Sequence, residues 1–547
     1  MDVILVGLPG SGKSVVGRRL AGRHGAAFID LDERIETAAG RTIPELFAEQ
    51  GETAFRAAER AAIAGLGPPD PGTAIARVVA TGGGAVVDPR NRWALYRGRV
   101  AVWLDGRPEV LAQRLRRSPH VRPLIVGREP VAAVRDLAMK RQRYYAAAAV
   151  RINGVPEVRG VVEAVGTAVG ADRPAGTRLL DADTRIGRYV LGEGIAAVAV
   201  ADGLRRLGAE RAILVSEPGA WEAAGQAIAA GLAADGWTVE RVLLPQGEDA
   251  KRLAVVETAA RELARLRVER NEPIVAIGGG ALGDAAGFLA ATYLRGIPFI
   301  QVPTTLVAQI DSAIGGKTGV DLPEGKNLVG AFHQPEAIVV DVAVLATLPE
   351  RQRWAALGEA VKMAALGDER LFELLEADGE AIARGDRATV ERGALAELVE
   401  RAGWAKIEVV SADERERGAA AGRITLNLGH SLGHAVEAAG GFGDLLHGEA
   451  VAYGLRAACA IGLEIGLTPG DRSARIVGLL DRLGLGREPL PYPLATILGH
   501  LATDKKHAGG KLRWVIPTAD GVEITTDVPA DVVERAAAGL LAARSPA

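Results

Sequence analysis

The stretch Gly7-Leu-Pro-Gly10-Ser11-Gly12-Lys13-Ser14 constrains the fold of this chain more than any other. A short apolar run, residues 3–8, precedes it and reads as a buried strand; Val15, Val16 and Leu20 behind it have helical spacing. The spacing G-x-x-x-x-G-K-S between a strand and a helix is a phosphate cradle. Its glycines let backbone N–H groups turn onto phosphate oxygens, and the helix N-terminus adds its dipole. Lys13 is expected to reach the β and γ phosphates and Ser14 to hold Mg²⁺, so the ligand expected here is ATP with Mg²⁺.

The chain's 547 residues exceed what one core organises, and about three structural units are expected. Sixty-five Lys and Arg against 68 Asp and Glu leave a net charge of −3, which argues against nucleic acid as a partner. The single cysteine, Cys459, rules out a disulfide framework and fits a reducing, cytoplasmic setting. The first residues run straight into the strand pattern without a basic leader, and no apolar run reaches the ~18 residues that span a bilayer. A cytoplasmic enzyme with small-molecule substrates and no membrane partner is the expectation.

Asp30 and Asp32 end a second apolar run at alternate positions, which on a strand places both at the ligand edge of a parallel sheet. Phe55-Arg56 and Glu59 follow on a helical pattern, and residues 78–81 form another strand running into Gly82, Gly83 and Gly84. Arg114, Arg116, Arg117, Arg122 and Arg128 surround Ser118-Pro119 and read as a basic flap over the phosphates. In order and spacing, these blocks and Arg141-x-x-Tyr-Tyr145 resemble shikimate kinase over residues 1–165. The resemblance implies that Asp32, Arg56, Gly83, Gly84 and Arg141 bind shikimate. It also implies that Asp30 assists Mg²⁺ and the substrate hydroxyl, that Arg122 is a lid arginine acting with Lys13 in catalysis, and that Arg117 or Arg116 lies against adenine. A guanidinium fork for a carboxylate and an Asp for hydroxyls suit a small carboxylated polyol. Departures are Pro9 in the loop and Arg143-Tyr144 in place of Pro-Leu. A gluconate or nucleotide kinase is the rival reading.

Residues 169–178 lose apolar periodicity around Gly170, Pro174 and Gly176 and read as a linker between a first domain, 1–168, and the rest. Strand-like runs then recur at 211–216, 239–244, 273–277 and 299–302 between helical stretches, so a second parallel α/β domain is expected over 179–344. Gly278-Gly279-Gly280 leads from strand to helix through Asp284, where backbone approaches a pyrophosphate. Arg295, Thr304, Thr305, Asp311, Lys317, Lys326 and Asn327 follow within fifty residues and suit an anionic, hydroxylated ligand.

From residue 345 to 547 helical periodicity dominates, and a helical, metal-binding domain is expected. Glu359 and Lys362 lie three apart on one helical face. Three of the eight histidines, His430, His434 and His447, fall within eighteen residues. His430 and His434 share a helix face, and the turn containing Gly440, Gly441 and Gly443 folds His447 back toward them, a set suited to zinc.

Middle and end together resemble 3-dehydroquinate synthase over 180–547, through Glu248, the glycine turn, residues 311–317, Lys326-Asn327, Glu359 and Lys362, residues 426–434, His447-Gly-Glu449 and Asp504-Lys505-Lys506. The resemblance implies a zinc or cobalt site on Glu359, His430 and His447, with His434 as a catalytic histidine. It implies NAD⁺ held by Glu248, Lys251, Gly278, Gly279, Gly280, Asp284, Thr304, Thr305, Lys317, Lys326 and Thr347. Asp311, Lys317, Lys326, Asn327, Lys362, Lys406, Arg423 and one of Lys505 and Lys506 would clamp the substrate, with Lys317 and Lys362 also catalytic. Arg295 would serve the neighbouring subunit's site in a homodimer. Two departures are Glu217-Pro218-Gly219 where the family has Asp-x-Asn for adenine, and about three extra Ala/Gly residues between Gly418 and Arg423, which are expected to displace Lys406 from its usual partner. A polyol dehydrogenase or another sugar-phosphate cyclase is the rival for this half. Taken whole, the resemblance implies a bifunctional shikimate-pathway enzyme.

Overall fold

The computed structural model describes residues 1–117, 129–153, 157–170, 176–416, 422–502 and 512–542, with the backbone of 507, 508 and 511 in addition. It divides into two compact units, Met1–Asp183 with Tyr189–Val198, and Thr184–Arg188 with Ala199–Ala547.

In the first unit five parallel strands, β1 (Asp2–Val6), β2 (Ala27–Asp30), β3 (Arg77–Ala80), β4 (Val100–Asp105) and β5 (Val150–Asn153), lie in the order β2-β3-β1-β4-β5. β1 is central and buried at every residue, as its unbroken apolar run requires. The chain leaves β1 through Gly7, where φ is +145° and a side chain would strike the Leu104 carbonyl at 2.7 Å. The helix Lys13–His24 then starts with no side-chain cap, so its first amides face the loop. Val16 and Leu20 pin it against Val3, Leu5, Val78 and Val102.

Two strands, β6 (Thr177–Thr184) and β7 (Gly187–Glu193), fall where the units divide. The second unit carries five parallel strands: β8 (Arg211–Ser216), β9 (Thr238–Leu243), β10 (Ile274–Gly278), β11 (Phe299–Pro303) and, after an antiparallel hairpin of β12 (Lys317–Leu322) and β13 (Gly325–Phe332), β14 (Ala337–Asp341). They lie in the order β14-β11-β10-β8-β9, and β10, at the centre, delivers the glycine turn to the helix Gly280–Thr292. From Glu350 onward the fold is mainly helical, with two short antiparallel pairs, His507–Ala508 against Lys511–Leu512 and Trp514–Pro517 against Val522–Thr525, before the last helix, Ala530–Ala538. In the helix Glu350–Ala365 every residue from Ala355 to Ala365 is buried, the signature of a helix enclosed on all sides. The sequence admits this because its enclosed positions are mostly alanine and glycine.

Candidate active sites of the two units

In the first unit the turn at Gly82, Gly83 and Gly84 is the meeting point. The Gly83 carbonyl accepts from Arg141 Nη1 at 2.9 Å and from the Tyr145 hydroxyl at 2.5 Å. A Cβ on Gly84 would stand 2.9 Å from Arg56 Nη1, one on Gly82 2.8 Å from an Asp32 oxygen, and one on Gly83 2.9 Å from Pro9 of the phosphate loop. The structure therefore gathers Asp32, Arg56, Gly83, Gly84 and Arg141 beside the loop of Gly10, Ser11, Gly12, Lys13 and Ser14. Lys13 Nζ donates to the carbonyls of Gly7 at 2.9 Å and Leu8 at 3.1 Å. Arg56 is aimed by Glu59 Oε2 at 2.9 Å; burial raises the Glu59 carboxyl's pKa against the pull of Arg56. One sequence argument needs correction. Asp30 and Asp32 do not alternate along a strand: β2 ends at Asp30, which caps the helix Leu31–Ala39 by accepting from Asp32 N at 3.1 Å. Arg117 closes the exposed end of the helix Pro108–Arg116, and Arg116 pairs with Glu129 at 3.3 Å. Arg122 and Arg128 lie outside the described residues, as do Lys505 and Lys506.

In the second unit the groups expected to ligate a metal, Glu359, His430 and His447, converge from three helices. Glu359 is fully buried, and its Oε1 lies 3.4 Å from His430 Nε2 and 3.1 Å from His447 Nε2. Each ring is turned by its other nitrogen: His430 Nδ1 sits 3.1 Å from the Leu428 carbonyl, His447 Nδ1 3.1 Å from Glu437 Oε2. With acceptors on both Nδ1 atoms, both Nε2 atoms are turned inward toward Glu359, the orientation in which metal-ligating histidines are held. Nitrogens of His430, His434 and His447 all lie within 4.8 Å of one another. Both Glu359 oxygens are buried, and Oε2 is ion-paired with Lys362. Such a cluster of soft imidazole nitrogens and one carboxylate fits a zinc-type cation. Burial pushes the His430 imidazole down to about 4. Burial also disfavours the His447 imidazolium, but the Glu359 and Glu437 carboxylates beside it outweigh that and raise it to about 10.

Behind this cluster lies a buried ladder of alternating charge. Lys362 Nζ is 2.5 Å from Glu359 Oε2 and 3.2 Å from Asp311 Oδ1, and Lys406 Nζ is 2.8 Å from Asp311 Oδ2. Burial pushes the Lys406 ammonium down to about 8, although Asp311 opposes it. Residues 417–421, which include the extra Ala/Gly residues, lie outside the described residues. Lys317 reaches Glu416 at 2.7 Å, and Glu416 also accepts from Asn427 at 3.2 Å. Arg423 is buried and donates to the carbonyls of Gly315 at 2.9 Å and Glu414 at 2.7 Å.

The dinucleotide group is equally compact. Lys251 Nζ lies 2.9 Å from Asp284 Oδ2 and 2.5 Å from Asn327 Oδ1, which puts Asn327 beside the residues expected to hold NAD⁺. Burial raises the Asp284 carboxyl to about 6 against the pull of Lys251. Thr304 N donates to Gly278 O at 2.9 Å, and the Thr305 methyl would stand 3.2 Å from a Cβ on Gly279. Thr347 ends a turn with its hydroxyl on the Val344 carbonyl at 3.2 Å. Glu217, standing where the family has Asp, is buried at the end of β8 and accepts from Gly247 N at 2.6 Å. Arg295 lies on the exposed turn Tyr293–Arg295 with φ +66°.

Sequence reasoning missed three groups. Glu437 lies seven residues after His430 and three after His434, on the face those histidines share, and that spacing was the available signal. Glu416, in the loop after the helix Ala394–Ala412, carried no local signal. Ser312 has a buried hydroxyl without a partner among the described residues, 2.8 Å from where a Cβ on Gly280 would be.

A phosphate-cradle kinase fold in one unit, and a dinucleotide-binding sheet joined to a helical histidine–carboxylate cluster in the other, define a two-site nucleotide-dependent enzyme. The shikimate kinase family model matches residues 9–163; those of the 3-dehydroquinate synthase N-terminal and C-terminal parts match 241–355 and 356–507. The 3-dehydroquinate synthase of Symbiobacterium thermophilum is 44% identical over 326 residues, 59% of this chain and 88% of that protein. That of Picosynechococcus sp. is 41% identical over 365 residues, 65% of this chain and 98% of that protein. Among solved structures, 2-epi-5-epi-valiolone synthase from Streptomyces hygroscopicus subsp. jinggangensis, with NAD⁺ and Zn²⁺ bound, is 30% identical with a TM-score of 0.57, covering 64% of this chain and 96% of that one. The chain belongs to the 3-dehydroquinate synthase family and carries a shikimate kinase region ahead of it, a bifunctional enzyme of the shikimate pathway.

Proposed function

We propose that the first unit transfers a phosphoryl group from ATP to shikimate, giving 3-phosphoshikimate, and that the second converts 3-deoxy-D-arabino-heptulosonate 7-phosphate to 3-dehydroquinate with release of phosphate. In the kinase site the uncapped amides after Gly12 and the Lys13 ammonium take the ATP phosphates, with Ser14 and Asp30 toward Mg²⁺. Arg56 and Arg141 hold the shikimate carboxylate, and Asp32 takes its hydroxyls. Arg122 is assigned to the lid.

The observation that carries the synthase reading is the convergence of the His430 and His447 Nε2 atoms on the fully buried Glu359 carboxylate. Glu359, His430 and His447 would hold Zn²⁺ or Co²⁺, and the Gly278–Gly280 turn with Lys251, Asp284, Thr304 and Thr305 would hold NAD⁺. When bound, the cation and NAD⁺ together supply a reversible oxidation of one substrate hydroxyl, which acidifies the neighbouring C–H and lets phosphate leave. Lys317, Lys362, Lys406 and Arg423 surround the space with positive charge and hold the substrate's carboxylate and phosphate. His434, beside the two ligand histidines, is placed to move the proton. Identity to dehydroquinate synthases of 44% against 30% to the valiolone synthase supports this substrate over that of another cyclase.

The domain limits proposed are 1–168, 179–344 and 345–547 around a linker. We also propose a homodimer in which Arg295, on its exposed turn, completes the partner's site. Among the described residues no helix is long and apolar enough to cross a membrane, and the single, buried Cys459 supports a cytoplasmic setting. Separate assays of shikimate phosphorylation and phosphate release on the purified chain test the proposal. Activity on gluconate but not shikimate, or NADH accumulation without phosphate, refutes the corresponding half.

A further inference from the structure

Glu437 is the least explained acid in the second unit. It is buried on the helix His430–Ala439, and nothing in the assigned chemistry uses it. Its two oxygens divide between two partners. Oε2 meets His447 Nδ1 at 3.1 Å, and Oε1 meets Lys326 Nζ at 3.2 Å. The same Lys326 ammonium lies 3.3 Å from Glu248 Oε1, on the turn Gly247–Ala250 that leads into Lys251 and the dinucleotide group. The Phe442 ring covers Lys326 at 4.7 Å. A continuous run of charged contacts therefore leads from Glu359 through His447, Glu437 and Lys326 to Glu248.

Each link has a physical consequence. An imidazole with a carboxylate on Nδ1 is fixed in tautomer and in ring rotation, and its Nε2 becomes a better donor to a cation. His447 begins the helix His447–Glu464 after a glycine-rich turn and is its first residue, so the helix backbone alone leaves the ring free to rotate. His430 obtains the same orientation from the Leu428 carbonyl, whereas His447 depends on Glu437. Lys326 offsets the Glu437 charge, and any ligand that draws Lys326 or Glu248 toward itself alters how firmly Glu437 holds His447.

We propose that Glu437 is a positioning residue of the metal centre, fixing the His447 ring, and that its ion pair with Lys326 couples metal binding to dinucleotide binding. This rests on the reading of Glu359, His430 and His447 as metal ligands. By linkage, dinucleotide that tightens the metal is itself tightened by the metal to the same degree.

The test is a Co²⁺ titration of the full chain, stripped of metal by a chelator, followed by visible absorption with and without NAD⁺. Wild type is expected to show a cobalt band absent from His430→Ala; failure to show it sinks the metal reading and this inference with it. Given the band, Glu437→Ala should bind cobalt about 10–100-fold more weakly, the usual cost of losing such a partner. The near-isosteric Glu437→Gln keeps a carbonyl acceptor and should recover part of that loss with an altered band, which separates positioning from misfolding. NAD⁺ should tighten cobalt in wild type by about 5-fold or more, within the usual range of coupled sites, and not in Lys326→Met. Unchanged affinity and spectrum in both Glu437 variants overturn the positioning role, and an NAD⁺ effect of equal size in Lys326→Met overturns the coupling.

Discussion

Gly358 and Gly448 touch through their backbones: a Cβ on Gly358 would stand 2.1 Å from the Gly448 carbonyl oxygen. Their neighbours in sequence are Glu359 and His447, so this contact between the helices Glu350–Ala365 and His447–Glu464 sets how near the carboxylate and the imidazole come. A Cβ on Gly448 would stand 1.9 Å from the Ala355 carbonyl oxygen, closer than any relaxation of a flexible side chain could relieve.

Gly448→Ala should therefore cost the second unit about 1–3 kcal/mol by overpacking and lower its zinc content. Thermal unfolding and metal analysis of the purified variant check both. Full zinc and an unchanged melting temperature would show that the contact does not set the site.

The division of labour among the histidines is open to direct test. His430→Ala should lose bound zinc, because its Nε2 is aimed at Glu359. His434→Ala should keep zinc and lose about 10²–10⁴-fold in rate, the usual weight of a proton-transfer group. Zinc analysis and synthase turnover on both variants decide it; the reverse pattern would make His434 a ligand.

Lys406 gives a pH signature. Burial holds its ammonium near 8, below the 10.5 of a free lysine. In the folded chain it is charged below about 8 and neutral above, so synthase kcat/KM should fall as pH rises through about 8, as a clamp for an anionic substrate loses its charge. The stability effect has the opposite sign. Between about 8 and 10.5 the unfolded chain binds this proton and the folded chain does not, so this group's contribution to stability rises with pH there. Lys406→Met should lower kcat/KM at neutral pH and flatten the limb near 8, read from a pH series; an unflattened limb assigns that titration elsewhere.

Much of this architecture is legible in the amino-acid sequence. The phosphate loop, the glycine turn at residue 278 and the histidine spacing each tie residue type to backbone geometry; Arg56 and Arg141 come together at the Gly83-Gly84 turn, and His430 lies against Glu359. The failures have physical causes. Asp30 and Asp32 resemble strand alternation, but the helix begins at Leu31, between them, because Asp30 serves as its cap. Glu437 shares a helix face with His430 and His434, but only folding brings it to His447 and Lys326. Glu416 meets Lys317 across 99 residues, a pairing no local pattern encodes.

The two sites should also be separable by mutation. Lys13→Ala is expected to abolish phosphoryl transfer alone, and His447→Ala cyclisation alone, with each remaining activity within about twofold of wild type, as holds for sites sharing no partners. Coupled-enzyme and phosphate-release assays on each variant check this. Loss of both activities from either change would contradict independent sites.

The most direct measurement follows 3-deoxy-D-arabino-heptulosonate 7-phosphate with the zinc-loaded full chain and less NAD⁺ than substrate, reading phosphate and NADH together. Phosphate released in amount equal to substrate, with no net NADH, is the result predicted from a dinucleotide site and a histidine–glutamate metal site acting on one bound sugar phosphate. NADH accumulating with no phosphate released would contradict it and identify the second unit as a polyol dehydrogenase.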